Sequence, residues 1–386
     1  MATVAFTQQK FSLQAGLEDS KYSNPTEKRY YRPELDALRF FAFASVFCDH
    51  LTFVQARWFQ PIVEAGAFGM CMFFMLSAYL IITILLREQE TTGTVNLPAF
   101  AIRRILRIWP LYFLVLFGGY ALGHFYHGSA TVPGRAVLAF SFLLGNLYIL
   151  HNGWLGPVGS LWSLSVEEQF YLAVPAIVRL GGRRGIIIIG VVAISFAYIV
   201  LLRLGFHGAP SRVIWVNSFV QFQFFAAGGL MALWLNRRTV LLSLKQRAAI
   251  AAVGLAFWFE GGQLFPLQTL AAARPLPLVI AYVLVLLGTF LIFISILDIQ
   301  VRIPRPLVYL GKISYGLYLF FLFFLWLVFD TYDRFPRMLY FQHHKLIGIP
   351  LAFGLTVATA ALSYHFFERP ILKFKERFET IHTRPA

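Results

Sequence analysis

Long apolar runs, separated by short polar or basic stretches, recur along the chain. They cover 35–57, 67–86, 106–126, 136–150, 161–180, 185–204, 213–235, 248–264, 276–297, 307–329 and 346–367. Most come close to the ~20 residues that a helix needs to cross a bilayer. The pattern predicts an all-α, polytopic membrane helical bundle. Run 136–150, AVLAFSFLLGNLYIL, is short for a span, and the uncharged, glycine-rich HNGWLGPVGS follows it.

Basic residues decide how the runs thread. With Lys28, Arg29 and Arg32 in the cytoplasm, the loop bearing Arg87, Arg103, Arg104 and Arg107 returns there after two spans. If 136–150 crossed, RLGGRR (179–184) and NRRTVLLSLKQR (236–247) would both lie outside. If 136–160 is a re-entrant or surface element, both lie inside, with VRIPR (301–305) and ERPILKFKERF (368–378). The positive-inside rule favours the second threading: about ten transmembrane helices and both termini cytoplasmic. Irregular backbone at membrane depth is tolerated where it lines a cavity, so 136–160 is expected to wall a site.

Composition agrees with this picture. Of 386 residues, 58% are hydrophobic, 13% are charged and 41 are Phe, against about a quarter charged in a soluble domain. The formal net charge of +15 reads as topology signalling in short loops rather than nucleic-acid binding, and it also draws anionic substrates. Residues 1–31 lack the apolar core of a cleavable leader. The expected division is a cytoplasmic tail (1–31), one transmembrane domain (32–370) and a second cytoplasmic tail (371–386). Cys48 and Cys71 sit in apolar runs and offer neither a disulfide framework nor a metal spacing.

Ionisable groups inside apolar runs are costly and mark function. In RPELDALRFFAFASVFCDH (32–50), Arg39 and His50 share a helix face, offset by roughly 16 Å. Arg39 either snorkels to the interface or serves a ligand. His50 is either a hydrogen-bonded buried histidine or a general base. Asp49 lies about 100° round the helix from His50 and is read as a helix-end or structural residue. In AIRRILRIWP (101–110), Arg104 and Arg107 are one turn apart. With Arg103, they either signal topology or hold a phosphorylated donor. In SLWSLSVEEQFYL (160–172), Glu167 and Glu168 fall at the depth of His50 in the ten-span threading. A carboxylate there would orient or charge-stabilise the imidazole, or else lie at a helix's positive end. LGKISYGLYLFFLFF (310–324) supplies Ser314, Tyr315 and Tyr318, which either line a polar channel or bond between helices. His343 and His344 are discounted as a metal site. No G-x-S-x-G elbow, Walker loop, H-E-x-x-H or GxGxxG is present.

Taken in order, these motifs, with FFMLSAYL (73–80), RRILRIWPLY (103–112) and SYHFFERP (363–370), resemble the acyltransferase family 3 membrane proteins. The resemblance covers about 32–370. It implies an enzyme that moves acyl groups, commonly acetyl from acetyl-CoA, onto hydroxyls of acceptors such as lipopolysaccharide, exopolysaccharide, peptidoglycan, Nod factors or macrolides. It makes His50 catalytic with Arg39 its companion, Arg104 and Arg107 donor-binding, and Glu167 the important acid. The chain departs from many relatives at Ala78, where they have Gly, at Phe321, where they have His, and at Leu161, where an aromatic residue or His stands.

The combined expectation is a membrane O-acyltransferase of a bacterial inner membrane. Acyl-CoA is the donor and a glycan or lipid-linked glycan the acceptor, with no metal and no nucleic acid. Its catalytic residues are His50, Glu167 and Arg39; Arg103, Arg104, Arg107, Ser314 and Tyr315 serve the donor. Two other readings stay open: O-acylation of a small secondary metabolite, and a proton-coupled transporter, against which the lack of an internal repeat counts.

Overall fold

The computed structural model describes residues 31–126, 131–236, 238–265, 267, 274–331, 335–379 and 381. Lys28, Arg29 and nearly all of the expected N-terminal tail lie outside them. Among the described residues the chain is helical, without strands.

Helix α1 (Pro33–Asp49) starts where Pro33, Glu34 and Asp36 suit a first turn: the proline needs no hydrogen-bond acceptor, and the acids face the positive helix end. Next come α2 (Gln60–Gly66), α3 (Gly69–Thr92) and α4 (Leu97–Tyr126). Helices α5 (Gly134–Ser141) and α6 (Gly145–Asn152) have 8 residues each. Each is about 12 Å long, far short of a bilayer, which matches the re-entrant or surface element expected there. A 3₁₀ turn, Pro157–Leu161, leads into α7 (Trp162–Phe206).

Within α7 the helix breaks at Gly182, whose φ of 52° only glycine adopts without strain. The break falls inside RLGGRR, between two of the apolar runs. Then follow α8 (Ser211–Trp215), α9 (Ser218–Trp234), α10 (Leu244–Leu264) and α11 (Pro275–Ile296). Helices α12 (Arg305–Lys312) and α13 (Ser314–Phe329) meet at a bend of 74°. The last elements are α14 (Leu339–His343), α15 (Lys345–Ser363), a π-helical turn at Tyr364–Glu368, and α16 (Arg369–Lys375). Helix α16 packs on α4, so the first residues of the expected C-terminal tail belong to the bundle.

Five helical stretches are long and apolar enough to cross a membrane: Gln60–Thr92, Leu97–Tyr126, Pro157–Phe206, Pro275–Ile296 and Lys345–Phe378. The bent pair α12–α13 makes a sixth if it is one span. This measure does not reach the expected count of about ten. Helices α1 and α9 have only 17 residues each, and Pro157–Phe206 counts once despite its break. Leu172, Ile188, Val192 and Ile199 stand exposed along α7. Such an apolar outer face suits lipid, and the chain is an integral membrane protein.

Three contacts position the site. Helix α12 lies on α1 so closely that a Cβ on Gly311 would sit 1.7 Å from the carbonyl oxygen of Asp36. Phe43 and Phe47 of α1 pack on Phe321 of α13 and Phe353 of α15. Phe74 of α3 stacks on Phe225 of α9 at 4.7 Å. Helix association in lipid rests on such side-chain packing, since lipid tails are as apolar as the side chains.

Candidate active site

Two cavities lie end to end between α1 and α13. The first, about 210 Å³, is lined by residues from seven parts of the chain. Helix α1 and the residues just before it bring Arg32, Asp36 and Arg39; α3 brings Ser77, α4 brings Arg104 and Arg107, and α7 brings Glu167 and Tyr171. The α12–α13 bend adds Lys312, Ser314 and Tyr315. The π-helical turn adds Tyr364 and Glu368, and α16 with the turn after it adds Lys375 and Glu376. A π turn re-aims side chains that a regular helix would carry past the site.

The wall holds six cations (Arg32, Arg39, Arg104, Arg107, Lys312, Lys375) against four carboxylates (Asp36, Glu167, Glu368, Glu376). Several of these groups are fixed by one another. Buried Asp36 accepts from the Arg39 guanidinium at 2.6 Å and from the Tyr31 hydroxyl at 3.0 Å. Arg104 lies over the rings of Phe100 and Tyr171, at 5.6 and 5.8 Å. Glu167 accepts from both the Ser77 and the Tyr171 hydroxyls. Tyr315 donates to the Ile108 carbonyl at 2.7 Å, tying α13 to α4.

The second cavity, about 570 Å³, is lined by Asp49 and His50 at the end of α1, by the 154–160 segment, and by the second half of α13 through Asp330. His50 Nδ1 lies 2.9 Å from the Val46 carbonyl oxygen and 3.3 Å from Asp49 Oδ2. A carbonyl only accepts, so Nδ1 carries the proton and Nε2 keeps its lone pair. The Phe321 ring meets the imidazole edge-on at 4.9 Å. Burial pushes the Asp330 carboxyl above its ordinary value.

Tyr318 and Met70 line both cavities and form the partition between them. The Tyr318 hydroxyl is held at 2.8 Å from the Ser160 carbonyl and at 2.8 Å from Ser163 Oγ. The 3₁₀ turn, α7 and α13 are thereby joined at one point.

The structure brings Arg39, Arg104, Arg107, Glu167, Ser314 and Tyr315 to one cavity and leaves His50 in the other. Two sequence expectations are corrected. Glu167 does not reach His50, because Trp162 begins α7 and Glu167 falls more than a turn along it, on the far side of the partition. Asp49 is the carboxylate beside the imidazole. Arg103 does not line the first cavity. It is buried, pairing with Glu88 at 3.0 Å and donating to the Phe378 carbonyl at 2.6 Å. Neighbours on a helix point about 100° apart, so Arg103 and Arg104 diverge.

Ser77, Tyr171, Tyr364, Glu368, Lys312 and Lys375 were not read as site residues from sequence. Ser77 sits in FFMLSAYL, and Tyr364 and Glu368 sit in SYHFFERP. Those motifs were the signal that could have found them.

Proteins of known sequence place the chain. A family model described as an acyltransferase domain, that of acyltransferase family 3, matches residues 32–368. The chain is 28% identical to the peptidoglycan O-acetyltransferase OatA of Listeria monocytogenes, over 89% of this chain and 56% of that protein. It is 28% identical to the putative peptidoglycan O-acetyltransferase YrhL of Bacillus subtilis, over 90% of this chain and 56% of that one. A putative O-acetyltransferase of Staphylococcus aureus is 25% identical over 93% of this chain and 60% of its own length. The chain thus spans little more than half the length of these relatives. No solved structure matches it. With the six motifs in order and the family model matching from Arg32 to Glu368, the chain belongs to acyltransferase family 3.

Proposed function

We propose that this protein is a membrane O-acyltransferase that takes an acyl group, acetyl first of all, from acyl-CoA and places it on a hydroxyl of a cell-surface glycan. The observation that carries this reading is the pair of adjoining cavities: one rich in cations, the other holding His50 with a free Nε2. In this reading residues 32–370 form the acyltransferase unit in a bacterial inner membrane, with both termini cytoplasmic.

The cation-rich cavity suits a phosphorylated donor. Guanidinium forks grip phosphate bidentately, and Arg104 and Arg107 stand one turn apart on α4. Ser314 and Tyr315 complete the donor's path at the start of α13. A slender pantetheine arm would pass the Tyr318–Met70 partition and bring its thioester toward His50. The roughly 16 Å offset between Arg39 and His50 suits so extended a donor.

His50 Nε2 then takes the proton of the acceptor hydroxyl. The oxygen attacks the thioester carbonyl, the C–S bond breaks, and the departing CoA thiolate takes the proton back from His50, which returns to the neutral imidazole. Asp49 holds the imidazole and offsets its charge once protonated. Peptidoglycan is the first acceptor to try, because two of the relatives are named for it; lipopolysaccharide and exopolysaccharide follow.

The test is acyl transfer by purified protein in proteoliposomes, with acetyl-labelled acetyl-CoA and glycan fragments. Wild type should release CoA and label the glycan. His50→Ala should lose transfer by about 10²–10⁴-fold while remaining folded. Near-normal transfer by that variant sinks the mechanism. Labelling from a donor other than acyl-CoA, with none from acyl-CoA, sinks the donor.

A further inference from the structure

A third groove, about 420 Å³, runs along the outer side of the chain's last helical turns. His365, Arg369, Lys373 and Arg377 line it with Pro370 and Phe374. The four basic residues recur at every fourth position and so form a single stripe along the helix. All four are exposed. The opposite side of the same turns, through Glu368, Leu372, Lys375 and Glu376, lines the first cavity. The stripe is therefore no part of the site already described.

Three features separate it from a solvated row of charges. No carboxylate lies within ion-pair distance of Arg369, Lys373 or Arg377 among the described residues, although Lys375 nearby pairs with Glu379 at 2.8 Å. Large apolar side chains stand exposed around it: Phe366 is 79% and Phe374 55% exposed. The stripe also begins just past α15, within the apolar stretch Lys345–Phe378. Helix α15, of 19 residues, is about 28 Å long, close to the ~30 Å of bilayer hydrocarbon. His365 follows within a turn, with Tyr309 of α12 stacked on it at 6.4 Å between ring centres.

From this juxtaposition we propose that the groove binds the phosphates of anionic phospholipid headgroups, with Phe366 and Phe374 seated among the upper acyl chains. Cations without a carboxylate partner attract anionic lipid at headgroup depth, and interfacial aromatic rings anchor a helix there; Arg377 lies over the Phe374 ring at 5.3 Å. The consequence reaches the first cavity: lipid on the outer side would hold the turns that carry Glu368 and Lys375 against it.

The experiment uses the full-length protein in nanodiscs of equal phosphatidylglycerol and phosphatidylcholine, with retained lipids counted by native mass spectrometry. Wild type should retain phosphatidylglycerol selectively. Each of Arg369→Gln, Lys373→Gln and Arg377→Gln should weaken that selectivity roughly fivefold, and the triple variant roughly a hundredfold. Arg135→Gln, an exposed arginine at the start of α5, should leave it unchanged. If the triple variant does not insert, the single variants decide. Selectivity equal to wild type in the variants overturns the proposal. So does displacement of the lipid by millimolar inorganic phosphate, which would assign the groove to a soluble anion. This readout does not depend on acyl transfer, so it stands or falls separately from the proposed activity.

Discussion

His50 presents its Nε2 to the second cavity because Val46 holds its Nδ1, and Asp49 adds a carboxylate at 3.3 Å. The two partners do different work. The carbonyl fixes the tautomer, and in the proposed reaction the carboxylate would stand beside the imidazole as it takes up the hydroxyl's proton. Asp49→Asn keeps the shape and removes the charge. Acyl transfer by that variant should fall about 10–10²-fold in kcat, with acceptor KM little changed. A purely structural Asp49 would instead lower thermal stability and leave kcat per folded molecule intact, so paired activity and melting measurements decide. In the first cavity, Arg104 lies over two aromatic rings, where a lysine could neither stack nor grip in the same way. Arg104→Lys should raise donor KM about tenfold and leave kcat within about twofold, measured by varying acetyl-CoA at saturating acceptor. An unchanged donor KM removes Arg104 from the donor's path.

At the scale of the elements, the site depends on α12 lying hard against α1. Gly311 makes that approach possible, and the backbone it touches is that of Asp36, which holds Arg39. Gly311→Ala should therefore cost about 1–3 kcal/mol of stability. It should also weaken donor binding through Arg39, although residue 311 touches no donor. Thermal unfolding in detergent and donor KM check the two effects, and a neutral variant in both would show that the contact does not matter. Some of this architecture was legible in sequence. Apolar run length marked the five or six membrane-length stretches, the basic RLGGRR marked the boundary between the two runs that α7 joins, and 136–150 was short for a span. Depth between helices was not legible. A helical wheel ranks residues around one axis, so Arg39 and His50 could be placed relative to each other. It says nothing of how far α7 slides along α1, and Glu167 was set beside His50 when a partition lies between them. The divergence of Arg103 and Arg104 is hidden in sequence for a related reason: a basic cluster signals a face of the membrane, and only packing decides that Arg103 turns to Glu88.

For the whole molecule, the two cavities set a direction. Cavity one gathers the start of α1, the first half of α4 and the residues after α15; cavity two gathers the end of α1, the 154–160 segment and the end of α13. Helix α1 alone, 17 residues long, separates their far ends by about 25 Å, most of a bilayer's hydrocarbon thickness. A donor and an acceptor entering by separate mouths would meet at Tyr318 without sharing a compartment. This demands that the mouths open on opposite sides of the membrane, which no single residue can establish. Trp154 is 53% exposed beside the second cavity, and Lys373 is exposed on α16, the helix whose other side, through Lys375, lines the first. In a background with Cys48→Ser and Cys71→Ser, Trp154→Cys should react with a membrane-impermeant maleimide added to intact cells. Lys373→Cys should react only after the membrane is opened. The opposite pattern would invert the protein and place the glycan in the cytoplasm. Labelling of both from one side would mean that donor and acceptor share a face, and transfer across the membrane would have to be abandoned.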